Sequence, residues 1–173
     1  MSIIKLKPTA ETLVQGWDTV SVFELWADED PTSSAEQIAS LCSATIKFSE
    51  MPDGLHNSTT TITSVTAHLT AVPGRSGESF VNLRFLADGG TVGTYNLQIE
   101  GVELATYLGP PITNISLAQA TDLTVIVLPD TNGVTISDFI LEVEYHEDGE
   151  SGPHPSVQLL SGFVKISEGR IIL

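Results

Sequence analysis

Thr60-Thr61-Ile62-Thr63-Ser64-Val65-Thr66-Ala67-His68-Leu69 opens the stretch that decides the fold, and Val134-Thr135-Ile136-Ser137-Asp138-Phe139-Ile140-Leu141-Glu142-Val143-Glu144-Tyr145 closes it. Both segments alternate apolar and polar residues. A strand turns successive side chains to opposite faces, so a period of two marks a strand with one buried face. Between them, short apolar runs are broken by Gly, Pro, Asn and Asp. Pro73-Gly74-Arg75-Ser76-Gly77 is a turn, which predicts 79–86 as the hairpin partner of 60–72. Asp88-Gly89-Gly90 ends that strand, and Tyr95, Leu97 and Ile99 share one face of the next. A further strand over 102–108 stops at Gly109-Pro110-Pro111. Leu123-Thr124-Val125-Ile126-Val127-Leu128 is nearly continuously apolar, the pattern of a strand covered on both faces.

Upstream of residue 60 the pattern is less regular. Residues 17–27 hold Val20, Val22, Phe23, Leu25 and both tryptophans, which predicts a strand from about Thr19. Asp28 to Ser34 reads as a loop. Over 34–42, Ile38 lies three and four residues from Leu41 and Cys42, with Ser33 or Ser34 as a cap, which predicts one or two helical turns. Residues 44–48 return to a strand, and 51–59 form a loop. About eight strands with turn signals between them give an antiparallel β-sandwich of jelly-roll type with terminal arms. The expected organisation is an N-terminal arm or edge strand over 1–16, the sandwich over 17–147, a linker over 148–155 and a C-terminal arm over 156–173. Val65, Leu83, Leu97, Val125, Val127, Phe139 and Leu141 or Val143 are the expected inward residues.

Composition narrows the function. The chain has 173 residues and a net charge of −15. All acids but Glu168 lie in the body, which has only Lys47, Arg75 and Arg84 as counterweight, while Lys5, Lys7, Lys165 and Arg170 sit at the ends. Phosphate binding needs clustered Lys and Arg, so nucleic acid is not expected as a partner. The single cysteine, Cys42, excludes a disulfide within the chain. No apolar run has the length of a membrane span, and the first residues lack the apolar core of a secretory signal. Membrane association is therefore not expected.

Chemistry-bearing motifs are sparse. His56, His68, His146 and His154 are scattered, without the close spacing to one another or to Cys that zinc sites use. The acidic runs Asp28-Glu29-Asp30 and Glu147-Asp148-Gly149-Glu150 lack calcium-loop spacing and read as solvated loops. No Gly-x-Ser-x-Gly elbow is present. Carboxylate pairs of the kind that hydrolyse glycosides arise by chance in so acidic a chain. Trp17 and Trp26 could be a sugar platform, but core or edge packing is the simpler use of two tryptophans. No catalytic, cofactor or metal residue is assigned, and no enzymatic activity is expected.

The tail is the exception to an otherwise self-contained domain. His146 to Pro155 is polar, acidic and rich in Gly and Pro, as a linker is. Beyond it, Val157, Leu159, Leu160, Phe163, Val164, Ile166, Ile171, Ile172 and Leu173 carry more apolar surface than a solvated terminus should show. These residues, with Lys5 and Lys7, are the candidate partner-binding set. The expected docking is strand addition to another subunit's sheet edge; the alternative is one more strand of the same domain.

On the block 62–69, the run Leu123-Thr124-Val125-Ile126-Val127 and the closing block 134–145, the chain resembles small β-sandwich structural proteins of tailed bacteriophages, found among head-decoration, neck and tail genes. The resemblance covers about residues 60–147, half of the chain. It implies a non-enzymatic virion component, assembled in the host cytoplasm, that binds other virion proteins and copies of itself as a homo-oligomer. It carries no catalytic residues. A carbohydrate- or receptor-binding β-sandwich module is the alternative.

Overall fold

A computed structural model describes residues 1–19, 21–28, 30, 32–55, 59–74 and 77–147. Two five-stranded antiparallel sheets pack face to face. The chain enters as β1 (Ser2–Leu6) in the first sheet and crosses at Lys7 into β2 (Pro8–Gln15) of the second. Then come α1 (Phe23–Ala27), β3 (Ala35–Glu36), β4 (Ser43–Phe48), β5 (Thr60–Pro73), β6 (Glu78–Ala87), β7 (Gly90–Glu100), β8 (Ala105–Leu108), α2 (Leu117–Ala120), β9 (Thr124–Pro129) and β10 (Val134–Glu147). Sheet A runs β1-β10-β5-β8, with β3 also beside β10; sheet B runs β2-β4-β9-β6-β7. This is the β-sandwich of jelly-roll type that the alternation predicts.

The two opening blocks are neighbours: β5 and β10 pair over almost their whole length. Their inner rows interlock large against small, with Leu141 opposite Ala67 and Ile136 opposite Ala71. That leaves room for Phe139, which is fully buried. Its ring lies 5.0 Å from Phe48 and 6.1 Å from Trp26, both edge-on, and Trp26 meets Trp17 at 5.3 Å in the same manner. Edge-on contact places the positive ring edge on the negative face, worth about 0.5–1.5 kcal/mol per pair beyond burial. Every residue expected to face inward is buried.

Four expectations are corrected. The segment 17–27 is not a strand. Trp17 makes a single bridge to Gln37, and the chain then turns into α1. The cause is tertiary: Glu11 on β2 accepts from the N–H groups of Val22 at 2.8 Å and Phe23 at 3.1 Å, satisfying donors at the helix start. The segment 34–42 is not a helix. Ala35 and Glu36 pair with β10, while the Gly16 carbonyl accepts from Ile38 and Ala39 and holds the chain extended. Ile38 and Leu41, the expected buried stripe, are 66% and 79% exposed. Thirdly, β5 and β6 are not a hairpin, because the turn after Pro73 carries the chain to the other sheet. The partner of β6 is β7, joined through Asp88 and Gly89, both at positive φ as a tight hairpin turn requires. Finally, the strand expected over 102–108 is only Ala105–Leu108, and Val102 lies exposed in the preceding turn.

Phe139→Ala removes the centre of the aromatic group and should cost about 3–5 kcal/mol, read from the urea midpoint at unchanged m-value. An unchanged midpoint would mean that β10 does not face the core as described.

Candidate functional site

The apolar run of β9 is where sequence expectation and structure part most usefully. Val125 and Val127 face inward and are buried, but Ile126 and Leu128 face outward and no element covers them fully. They lie in the middle of sheet B, between β4 and β6. Cross-strand register builds the surface around them. Leu128 stands beside Asn82, which stands beside Asn96; Ile126 stands beside Arg84 and Thr45; and Thr45 stands beside Leu13. Phe80, two residues before Asn82 on the same face, is opposite Gln98. Leu13 and Phe80 are among the exposed large apolar side chains, at 53% and 39%.

The polar groups on this face are mostly planar amides held in place. The Asn82 amide donates to Asn96 Oδ1 at 2.8 Å. That leaves Asn82 an acceptor and Asn96 its amino donors for a ligand. Gln98 donates to Glu78 at 2.8 Å and to Glu100 at 2.7 Å. Phe80 is fixed from behind: its carbonyl accepts from Asp130 N–H at 2.8 Å, and Asp130 Oδ1 accepts from Ser79 Oγ at 2.7 Å. Lys47 spends its charge on Asp122, 2.8 Å away, a contact that also raises its pKa. Arg84 stands exposed among the amides. The result is an open sheet face carrying one aromatic ring, aliphatic flanks and oriented amide donors and acceptors.

A concavity lies at one end of the sandwich, between Gln37–Ser40 and Thr131–Thr135, and holds about 110 Å³. Its polar groups mostly hold turns. Gln37 gives both amide hydrogens to the carbonyls of Ala39 and Asp130, at 2.9 and 2.8 Å. Asp130 accepts from Ser79 and Asn132.

The residues singled out from sequence fall elsewhere. Lys5 is on β1 opposite Glu142, and Lys7 lies in the crossing between sheets, where its carbonyl accepts from Ser49 N–H at 2.8 Å. They are not brought onto the sheet B face. Val157, Leu159, Leu160, Phe163, Val164, Ile166, Ile171, Ile172 and Leu173 lie outside the described residues, as do 148–155 of the expected linker. Trp17 and Trp26 are core residues, 5% and 0% exposed, so a sugar platform built on them is excluded. Their indole N–H groups donate to the carbonyls of Ser43 and Ile136, both at 3.1 Å. His68 is half-buried on the outer face of sheet A, with Nε2 3.7 Å from Glu142 Oε1. Among the described residues no three His, Cys, Asp or Glu side chains group as metal ligands. The sequence signal that could have found the face is the β9 run itself: apolar residues at four successive positions, Val125 to Leu128, in a sheet that one layer covers.

No protein-family model matches the chain, and no curated protein matches it by sequence. Solved structures match by fold. The C-terminal CBM6 of a laminarinase from Zobellia galactanivorans is 8% identical, with a TM-score of 0.50 over 83% of this chain and 100% of that one. A carbohydrate-binding module CBM36 in complex with calcium and xylotriose is 14% identical, with a TM-score of 0.42 over 84% and 100%. Tailspike protein 4 of bacteriophage CBA120 is 12% identical, with a TM-score of 0.44 over 83% of this chain and 19% of that one. The first of these supports the β-sandwich fold assigned above.

Burial pushes the Cys42 thiol up to about 12 from an ordinary 9.0. The thiolate is the reactive form, so Cys42 should resist a disulfide exchange reagent at pH 8 until the protein unfolds. A folded-state pKa above the unfolded one stabilises the fold below pH 9 and loses that contribution progressively above it. Rapid labelling of the folded chain at pH 8 would show that Cys42 is not enclosed.

Proposed function

We propose that this chain is a non-enzymatic binding module that holds a neutral carbohydrate on the outer face of sheet B. The observation that carries the reading is Phe80, exposed at 39% near the start of β6 and beside Asn82, Asn96 and Gln98. A sugar ring has an apolar C–H face and a rim of hydroxyls. The first stacks on an aromatic ring, and the second exchanges water for oriented amides, which can both donate and accept. Phosphate or sulfate ligands would call for clustered bases, and this face offers Arg84 with Lys47 already paired. An open sheet face leaves one side of a ligand in water, so affinity should be modest, with Kd of about 1 mM, or about −4 kcal/mol, per site. Repeated copies in an assembly would raise the working affinity.

A second reading is a structural component of a tailed-phage virion, at the head, neck or tail, binding other virion subunits. What supports it is that, of the three blocks carrying the resemblance, two form the central pair β5 and β10 of sheet A and the third forms β9 at the centre of sheet B. The two readings meet in a virion component that recognises a host glycan.

An array of neutral oligosaccharides probed with the full chain should show binding that Phe80→Ala abolishes and Asn82→Ala weakens. Phe80→Ala should cost about 1 kcal/mol of stability or less, because the ring is partly solvated already. Absence of binding to every glycan, together with recovery of the chain from purified particles, would favour the purely structural reading. Binding that survives Phe80→Ala would overturn the site.

A further inference from the structure

We propose that the edge of β1, open among the described residues, is a docking site for the C-terminal segment, residues 156–166, of a second copy of this chain. An open strand edge exposes unpaired N–H and C=O groups, and folded proteins usually cover or disrupt it. Three of the four edges here are treated in that way. The β7 edge is capped at its Glu100 end by the chain that follows it. Tyr107 Oη donates to the Glu100 carbonyl, and Glu100 N–H donates to Tyr107 Oη at 3.2 Å. Lower down, Gly109 lies against the Tyr95 ring and Ile112 against Gly93. The β2 edge begins at Pro8, carries two register shifts and packs against α1. The β8 edge is four residues long and stops at Pro110-Pro111. The β1 edge is different. Its five rungs to β10 run without a register shift, and it contains no Pro or Gly. Ile3 on its outer side is 57% exposed, with Met1 beyond it at 79%.

The position where the chain leaves the sandwich argues for the occupant. β10 ends at Glu147, two residues past Tyr145, whose rung partner is Ser2. The 26 residues 148–173 therefore depart beside the foot of β1. They carry Val157, Leu159, Leu160, Phe163, Val164 and Ile166 in a short span, and Lys165 would be drawn to the acidic outer face of the neighbouring strand, where Glu142 lies beside His68 and Glu144 accepts from Ser64. Direction argues for a second copy. A segment pairing with β1 directly on leaving the foot of β10 would run parallel to it, whereas every strand pairing among the described residues is antiparallel. A two-fold related copy can present the segment antiparallel, with the more favourable hydrogen-bond geometry. The acidic, Pro-containing stretch 148–155 favours an extended reach.

Sedimentation velocity of the full chain over a concentration series tests this. The wild-type chain should form a dimer or larger closed oligomer, and the full chain with Phe163→Asp and Ile3→Lys, each alone, should shift to monomer by at least tenfold in concentration. Hydrogen exchange of the β1 amides should slow as the oligomer forms. The chain lacking 156–173 should be monomeric and keep the wild-type melting temperature. A wild-type monomer at all concentrations would overturn the proposal, and so would an oligomer indifferent to Ile3→Lys. Loss of folding on truncation would also overturn it, by placing the segment in its own domain's core. None of these variants touches Phe80, so glycan binding can fail or persist independently.

Discussion

Everything in this molecule hangs on the ladder between β5 and β10. Thirteen residue pairs join two 14-residue strands through the middle of sheet A. The ladder puts small Ala67 and Ala71 opposite Leu141 and Ile136, and that unevenness seats Phe139 and the aromatic rings stacked from it. Close packing of this kind transmits shape, because an interior near crystal density has no slack to absorb a misplaced ring. Trp26 ties the irregular segment after β2 to the same strand, through its hydrogen bond to the Ile136 carbonyl. The segment that carries Trp26 is thus anchored to a strand 110 residues later. Register shifts near Ser137 and Thr63 bend the ladder at its two ends.

Because sheet A and the inner side of sheet B meet the need for a core, the outer side of sheet B is released from it. Ile126, Leu128 and Phe80 are then apolar where solubility would favour polar residues. Surrounding them with Asn82, Asn96 and Gln98 keeps the face wet and non-adhesive to other apolar surfaces, while preserving a stacking surface. The rest of the body is strongly acidic. Like charges there keep copies apart, so any contact between subunits must be local and apolar enough to overcome that repulsion.

Much of the fold was legible because β5, β6, β7 and β10 each alternate over many residues, and alternation is a local property. The partition of strands between sheets was not legible: a turn such as Pro73-Gly74 can reverse a strand within a sheet or carry it across to the other. The segments 17–27 and 34–42 were misread because their conformations are imposed from a distance, by the Glu11 carboxylate in one case and by Gly16 and β10 in the other. Local periodicity carries no trace of such partners. The candidate face was half legible. The β9 run was visible as unusual, but alternation cannot say that its outer side lacks a covering layer, and the pairing of Phe80 with Gln98 depends on a hairpin whose partner was misassigned.

The central claim is that the outer face of sheet B is the ligand surface. Amide chemical-shift mapping of the full chain, titrated with a neutral oligosaccharide that it binds, tests this most directly. The account predicts shifts concentrated at Phe80, Asn82, Asn96, Gln98 and Leu128, with the end groove and sheet A unmoved. Shifts confined to Gln37–Ser40 and Thr131–Thr135 would contradict it and move the site to the end of the sandwich.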